Sequence, residues 1–224
     1  MIASKSPKIL FIPVSSLSGS GEYYRSLILA EEFKRQYPTA EIHFILNQYV
    51  SYAKDCPFPT HFSEHSATKD TNKVKQVINE LLPDLVIFDC SGRSAQFKHA
   101  KKMGAKVIFL SQHKKKRARG LKLNRLPYCD LHWVIQPSYT IPPLSLYEKL
   151  KLKLYGKPFP KNIGSILPKI TEKTKQDVLD KYGLIKDHFF IFNSGSGGHK
   201  VKGEFAADLF YLSAVCFTLK KWKK

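Results

Sequence analysis

Strand-length apolar runs that alternate with amphipathic helices constrain the fold of this chain most strongly. The first run, residues 8–14 (KILFIPV), is continuously apolar, which is typical of a strand buried on both faces of a parallel sheet. A loop of small residues follows at 15–21, and then comes an amphipathic helix that Pro38 ends. Residues 41–46 read as the next strand, so this segment predicts a βαβ unit.

The same alternation continues to residue 135. Helices are predicted at 71–82 and 94–103, and strands at 84–89, 105–110 and 131–135. Strands that alternate with helices in this way predict an α/β protein with a Rossmann-like, doubly wound parallel sheet.

The chain changes character after this predicted sheet. A lysine-rich stretch with several prolines reaches residue 168 and includes a short amphipathic segment at 144–154. The elements predicted beyond it are a helix at 173–182, a strand at 188–193, a glycine loop at 194–198 and a helix at 204–219. Because a single strand cannot form a sheet domain, we expect a first domain at 1–160, and a linker with an incomplete second α/β domain at 161–224.

Composition narrows the functional classes. The 224 residues contain 37 Lys and Arg against 18 Asp and Glu, a net charge of +19, which indicates an anionic partner such as nucleic acid, acidic lipid or a phosphorylated substrate. No apolar run reaches the roughly 18–20 residues that span a bilayer, and no signal peptide is predicted. The cysteines (Cys56, Cys90, Cys129 and Cys216) lack a C-x-x-C pair. They predict reduced thiols in a cytoplasmic protein, with neither a disulfide framework nor a metal site.

The loop between the first strand and the first helix carries the most specific local motif, Gly19-Ser-Gly-Glu-Tyr-Tyr-Arg25. Glycine allows a ligand to approach the backbone, and the amides at a helix N-terminus attract anionic groups. Tyr24 stands where a dinucleotide fingerprint has its third glycine, and no acidic residue ends the second strand, so NAD binding is not predicted. The simpler alternative is a tight turn with Glu22 in the favourable first turn of the helix.

A second glycine loop, 194–198, follows the strand that opens the second unit. Two such loops, one in each half of the chain, suggest two Rossmann-like domains that face one cleft. The alternative is a flexible loop with no ligand.

Polar clusters also follow three of the predicted strands, where an α/β sheet binds its ligands. They are residues 89–93, 111–113 and 136–138. Asp89 and His113 can each accept a proton. Capping is the favoured interpretation of Ser91 and Ser111, and a histidine that follows a strand, such as His113, is more often an ordinary loop residue than a catalyst.

A strongly basic segment, residues 113–126 (HKKKRARGLKLNRL), interleaves cations with apolar residues. This pattern favours contact with an anionic phospholipid surface. Nucleic acid would accept the same charge, but no helix-turn-helix, zinc finger or aromatic RNA-binding signature accompanies it. A lysine-rich face that is simply solvated is the remaining alternative.

Two segments resemble a known family. Residues 18–30 (SGSGEYYRSLILA) resemble the first glycine loop and helix of two-domain GT-B glycosyltransferases, in particular the family-28-like group that includes the N-acetylglucosaminyltransferase of peptidoglycan synthesis. They are also similar to the related nucleotide-sugar hydrolases. Residues 190–199 (FIFNSGSGGH) resemble the strand and glycine loop that open the donor-binding domain of that fold.

The resemblance implies an acceptor-binding N-terminal domain, a donor-binding C-terminal domain, catalysis between them, and no metal or cofactor other than the nucleotide-diphosphate sugar itself. With the strand-end positions it implies three sets of residues: proton transfer by Glu22, Asp89 and His113; acceptor binding by Gly19, Ser20, Gly21, Arg25, Ser91 and Arg93; and donor-phosphate binding by Gly195, Ser196, Gly197, Gly198 and His199. Many relatives have histidine where Glu22 stands, and a carboxylate there can serve as the general base.

The function so implied is transfer of a sugar from a nucleotide-diphosphate sugar to a lipid-linked or polysaccharide-precursor acceptor, at the inner face of a membrane. A complete donor domain would need roughly 120–150 further residues, so we expect a truncated protein or a partner chain that supplies the donor domain. Hydrolysis of a nucleotide sugar is the second enzymatic hypothesis, and a basic nucleic-acid-binding module is the non-enzymatic one.

Overall fold

The computed structural model describes residues 6–16, 19–189, 191, 200–201 and 203–222. The chain divides into two compact units, the first ending at Leu167 and the second beginning at Pro168. Within the described ranges no helix is long and apolar enough to cross a bilayer.

A seven-stranded sheet forms the centre of the first unit. Its strands are β1 (Lys8–Pro13), β2 (Glu41–Asn47), β3 (Thr60–Ser63), β4 (Leu85–Asp89), β5 (Lys106–Ser111), β6 (Leu131–Val134) and β7 (Lys161–Asn162). The helices are α1 (Gly21–Gln36), α2 (Thr71–Leu81), α3 (Ser94–Lys102), α4 (Lys114–Gly120) and α5 (Leu146–Leu154). Every neighbouring pair of strands is parallel, in the order β3-β2-β1-β4-β5-β6-β7. The predicted Rossmann-like α/β sheet is therefore confirmed.

The strand order reverses direction at β1. The chain runs outward from β1 through β2 to β3 and then returns to place β4 on the other side of β1. Ile9 accordingly pairs with Ile42 on one side and with Leu85 on the other. A reversal of this kind opens a crevice beyond the carboxyl ends of the two diverging strands.

Both faces of the sheet are buried, as the continuous apolar run of β1 predicts. Leu10 and Ile12 lie in a core cluster that α2 and α3 cover, whereas Ile9 and Phe11 lie in the cluster on the opposite face, under α1. Successive strand residues point to opposite faces, so a strand sandwiched between helices must be apolar at every position.

Three elements of this unit are not predicted by the sequence patterns. The strand β3 (Thr60–Ser63) is a polar edge segment, and α4 lies within the basic segment 113–126. The third, β7, has only two residues and joins the sheet beside β6, although residues 161–162 were expected to begin the linker and incomplete second domain.

The basic segment 113–126 does not lie wholly on the surface. Arg117 is buried and donates hydrogen bonds to the carbonyl oxygens of Pro142 and Pro143. Leu121 and Leu126 pack in a small core with Leu152 of α5. Leu121 and Leu126, two of the interleaved apolar residues that suggested a membrane surface, therefore hold α5 against this segment. Because they are buried in the protein, they are not available to contact lipid.

The second unit contains α6 (Glu172–Tyr182), an antiparallel pair β8 (Lys200–Val201) and β9 (Glu204–Phe205), and α7 (Ala206–Trp222). The hydroxyl of Thr171 caps α6 by accepting from the Thr174 amide, and Gly183 ends the helix in the left-handed conformation. Of the predicted strand 188–193, residues 188, 189 and 191 are described and belong to no strand, since no neighbouring described strand pairs with them. The predicted glycine loop 194–198 lies outside the described residues.

Candidate functional site

A cleft of about 540 Å³ opens beyond the carboxyl ends of β1 and β4, at the point where the strand order reverses. Its walls come from the loops after β1, β2, β3 and β4 and from α4. Among the described residues, these walls carry four lysine and arginine side chains, one histidine, several small hydroxyl and amide residues, and no carboxylate. The lining residues are Val14, Ser15, Ser16, Asn47, His65, Ser66, Thr68, Lys69, Cys90, Arg93, Lys116 and Arg119.

A buried ion pair fixes α1 against the end of β4 beside this cleft. Asp89 has no exposed surface, and both of its carboxylate oxygens accept from Arg25, Oδ2 from Nε at 2.9 Å and Oδ1 from Nη2 at 2.6 Å. Ser26 Oγ donates to Oδ2 at 3.2 Å. Two parallel bonds between a guanidinium and a carboxylate fix orientation as well as distance. The pair therefore sets the position of α1 and of the glycine loop before it.

Asp89 is charged at neutral pH in spite of its burial. Burial raises the pKa of its carboxyl to about 6, against the opposing effect of the hydrogen bonds and charge of Arg25. For Arg25, burial acts to lower the pKa, but the bonds to Asp89 outweigh it and the pKa is raised. Because its oxygens already bind Arg25 and Ser26, Asp89 is placed to orient α1.

The residues after Asp89 form a tightly constrained loop at the cleft. The hydroxyl of Ser91 donates to the carbonyl oxygen of Ile12 and so ties this loop to β1. Cys90 and Gly92 both have positive φ, 52° and 85°. A Cβ on Gly92 would lie 2.5 Å from Phe97 Cε2, so only glycine fits.

The Cys90 thiol stays protonated at neutral pH. Burial raises its pKa to about 12, with the charge of Asp89 as the next cause. Cys90 thus forms part of the wall of the cleft without supplying a free nucleophile.

The loop after β3 forms the facing wall. Asp70 caps α2 by accepting from the Lys73 amide at 3.0 Å, and its other oxygen accepts from Ser63 Oγ at 2.8 Å. Arg93 Nε donates to the carbonyl oxygen of Thr68 at 2.8 Å, and the Thr68 hydroxyl accepts from the Gly92 amide at 3.2 Å. These bonds hold the two loops together, with Arg93 at the junction.

No described side chain caps the N-terminus of α1. Ser20 is the N-cap residue, but its hydroxyl makes no capping bond, and no atom lies within 4 Å of the position a Cβ on Gly21 would occupy. The carbonyl oxygen of Gly19 accepts from the Tyr52 hydroxyl at 3.3 Å. Glu22 is half-buried in the first turn. The pKa of the Tyr52 hydroxyl is raised, first by the burial of Tyr52 and then by the charge of Glu22. The first turn thus carries a carboxylate, and its amides receive no cap from the side chains in the described ranges.

The structure separates the residues predicted for the site. Arg93 lines the cleft, Arg25 and Asp89 lie buried against it, Ser91 is used in a backbone bond, and Gly19, Ser20, Gly21 and Glu22 form the start of α1. His113 is exposed immediately before α4 and does not line the cleft. The predicted donor-phosphate residues, 195–199, lie outside the described residues.

Of the lining residues, only Arg93 was predicted for the site; those with ionisable side chains that were missed include His65, Lys69, Lys116 and Arg119. The first two follow β3, an edge strand too polar to be recognised. The other two lie on α4, within the segment that was interpreted as a membrane surface. The only available signal was the charge of that segment.

No family model and no curated protein sequence matches the chain. Solved structures that match it include a glycosyltransferase from Rickettsia africae (11% identity, 82% of this chain and 51% of that chain, TM-score 0.47). Others are Arabidopsis thaliana UGT89C1 complexed with UDP (14%, 79% and 55%, TM-score 0.44) and an α-glucosyltransferase in complex with UDP and DNA (17%, 70% and 42%, TM-score 0.41). The chain spans about half the length of these proteins. A likeness at these values identifies neither an activity nor a substrate.

Proposed function

We propose that this chain provides the acceptor-binding half of a GT-B glycosyltransferase that acts on a lipid-linked or polysaccharide-precursor acceptor. The observation that carries the proposal is the cleft at the β1–β4 strand reversal, next to the glycine-containing turn and the uncapped start of α1. Open α/β sheets bind their ligands at this place.

In the proposed reaction Glu22 is the general base. It takes the proton of an acceptor hydroxyl whose oxygen bonds to the anomeric carbon of the donor sugar. The bond from that carbon to the nucleotide diphosphate breaks, and the diphosphate leaves with the electron pair. The buried Arg25–Asp89 pair acts as a positioning pair that holds α1, and thereby Glu22, in place.

The donor sugar is proposed to bind a second α/β domain, supplied by further sequence or by a partner chain. The glycine loop 194–198 and His199 would open that domain. If a partner chain supplies the donor domain, an assay that contains a nucleotide sugar and a lipid-linked acceptor should release nucleotide diphosphate only when both chains are present.

The decisive variant of this assay is Glu22→Gln, with Glu31→Gln as the matched control. Both residues lie on α1 and lose the same charge, but Glu31 is exposed on the solvent side. Loss of a general base lowers turnover by about 100- to 10,000-fold, so Glu22→Gln should nearly abolish transfer, Glu22→Asp should restore part of it, and Glu31→Gln should leave it unchanged. Equal activity of Glu22→Gln and the unaltered chain would contradict the proposal. Release of free sugar without acceptor would instead identify a nucleotide-sugar hydrolase.

We also propose that α5, rather than the whole segment 113–126, carries the contact with an anionic membrane. Leu146, Leu150 and Leu154 follow one another at four-residue spacing and are 83%, 54% and 74% exposed. Lys149 and Lys153 are exposed beside them. An apolar stripe flanked by lysines is complementary to acidic lipid.

Sedimentation with vesicles that contain acidic phospholipid tests the membrane contact. The double variant Leu150→Gln/Leu154→Gln should lower the affinity for these vesicles at least tenfold, since each leucine that becomes buried in the lipid contributes about 1.5–3 kcal/mol. The control Val178→Gln/Ile185→Gln alters two exposed apolar residues of the second unit and should bind normally. Equal loss in both double variants would contradict this surface.

A further inference from the structure

We propose that the cleft at the β1–β4 reversal binds a diphosphate group. Lys69, Arg93, Lys116 and Arg119 all line it, and none of the other lining residues that the structure describes is a carboxylate. This inference rests on the proposed function, because it names the chemical class of ligand that the proposed acceptor-side cleft binds.

The four cations of this cleft have no paired carboxylate within the residues that the structure describes. In the described part of the chain, none of these four residues takes part in an ion pair. The nearest buried carboxylate, Asp89, is engaged by Arg25. Like charges gathered around one cleft repel each other and raise the local concentration of anions. A bound anion is therefore the favourable state.

Small polar residues lie between the cations in the lining of the cleft: Ser15, Ser16, Asn47, Ser66 and Thr68. Ser15 is fully buried and its Oγ accepts from the Asn47 amide at 3.0 Å, and Ser66 Oγ is buried as well. These two hydroxyls shape the wall, and the cations supply the contacts that an anion in the cleft can reach.

The number and kind of cations favour a diphosphate over a single carboxylate. One carboxylate would leave three of the four cations uncompensated. A diphosphate spreads several negative charges over many acceptor oxygens, which suits the forks of Arg93 and Arg119 together with the point charges of Lys69 and Lys116. The volume of about 540 Å³ holds such a group with room for the moiety that carries it.

Two sources supply this chemistry, a diphosphate-linked lipid acceptor and a nucleoside diphosphate. Calorimetry at about 0.15 M salt with inorganic pyrophosphate, geranyl diphosphate and UDP separates them. Geranyl diphosphate binding more tightly than UDP points to the lipid-linked source, and the reverse order points to the nucleotide. Either order supports the proposal when pyrophosphate itself binds more tightly than sulfate.

The test variants lie on one helix. Lys116→Gln/Arg119→Gln removes two cations that line the cleft, whereas Lys114→Gln/Lys115→Gln removes two exposed cations that do not. We expect the first pair to raise the Kd for pyrophosphate about tenfold or more and the second pair to change it less than about twofold. Equal weakening by both pairs, or pyrophosphate binding no tighter than sulfate, would overturn the proposal.

The outcome is separable from that of the proposed function. Pyrophosphate binding needs neither donor domain nor sugar transfer, so tight binding without any transfer would count against the glycosyltransferase alone. Transfer that persists in a chain with no affinity for pyrophosphate would count against the diphosphate site alone.

Discussion

Removal of the charge of Asp89 should destabilise the first unit strongly. In Asp89→Asn the Arg25 guanidinium, whose side chain is only 12% exposed, loses its counter-ion and keeps one or two weaker bonds. Breaking a buried ion pair by altering one partner costs about 3–5 kcal/mol. Since a domain is stable by only about 5–15 kcal/mol, this is a large fraction of the total.

Urea unfolding followed by circular dichroism measures the effect, and α1 offers a matched control. Glu32 and Arg35 also form a paired guanidinium–carboxylate contact, with distances of 2.8 and 2.6 Å, but their side chains are 40% and 65% exposed. Glu32→Gln should therefore lower stability far less than Asp89→Asn, because water solvates the exposed arginine.

A double variant separates lost charge from lost shape. Arg25→Met/Asp89→Leu removes both charges, so no buried ion is left without a partner, and it should recover much of the stability lost in Asp89→Asn. If Asp89→Asn and Glu32→Gln destabilise the chain equally, the argument that the buried pair positions α1 is wrong.

Two further predictions follow from single residues. Gly92→Ala should lower the free energy of unfolding by at least about 2 kcal/mol, because φ is positive at this position and the added Cβ would clash with Phe97 and Phe88. Gly104 has a similar φ but no neighbouring side chain within 4 Å of the added Cβ, so Gly104→Ala should lower the free energy of unfolding less in the same urea assay. Equal losses would refute the steric argument. Burial, and then the charges of Arg117 and Arg125, lowers the pKa of His132 to about 3. Below about pH 6.5 the unfolded chain therefore binds a proton at His132 that the folded chain does not bind, and the free energy of unfolding should fall as the pH drops from about 6.5. His132→Gln should make that fall shallower, and an unchanged pH dependence would show that His132 is not its source.

The sheet was predictable because its signal is local. Each buried parallel strand must be apolar on both faces, and the runs at 8–14, 41–46, 84–89, 105–110 and 131–135 all coincide with strands to within one or two residues. Proline and glycine marked the helix ends equally well, as at Pro83 after α2 and Gly104 after α3.

The elements that were missed lack such a signal. Thr60–Ser63 forms a strand through its pairing with β2, and pairing is invisible in a polar segment of four residues. α4 is held by tertiary contacts: a Cβ on Gly120 would lie 2.6 Å from His132, which shows how closely the helix meets the sheet. Its sequence has too few apolar residues to reveal a helical face.

The candidate site was predictable only in part. The rule that ligands bind beyond strand ends pointed to Asp89 and Arg93, and the cleft lies in that region. It could not indicate that Asp89 is buried in an ion pair, or that Lys69 and Lys116 meet across the cleft from segments almost 50 residues apart in the chain, because both depend on tertiary packing.

A two-dimensional amide NMR titration with inorganic pyrophosphate at about 0.15 M salt tests the central claim most directly. The diphosphate site predicts saturable shifts concentrated on the amides of Ser15, Ser66, Cys90 and Lys116. Shifts that spread instead over the lysines of α5 without saturating, and spare those four amides, would contradict it.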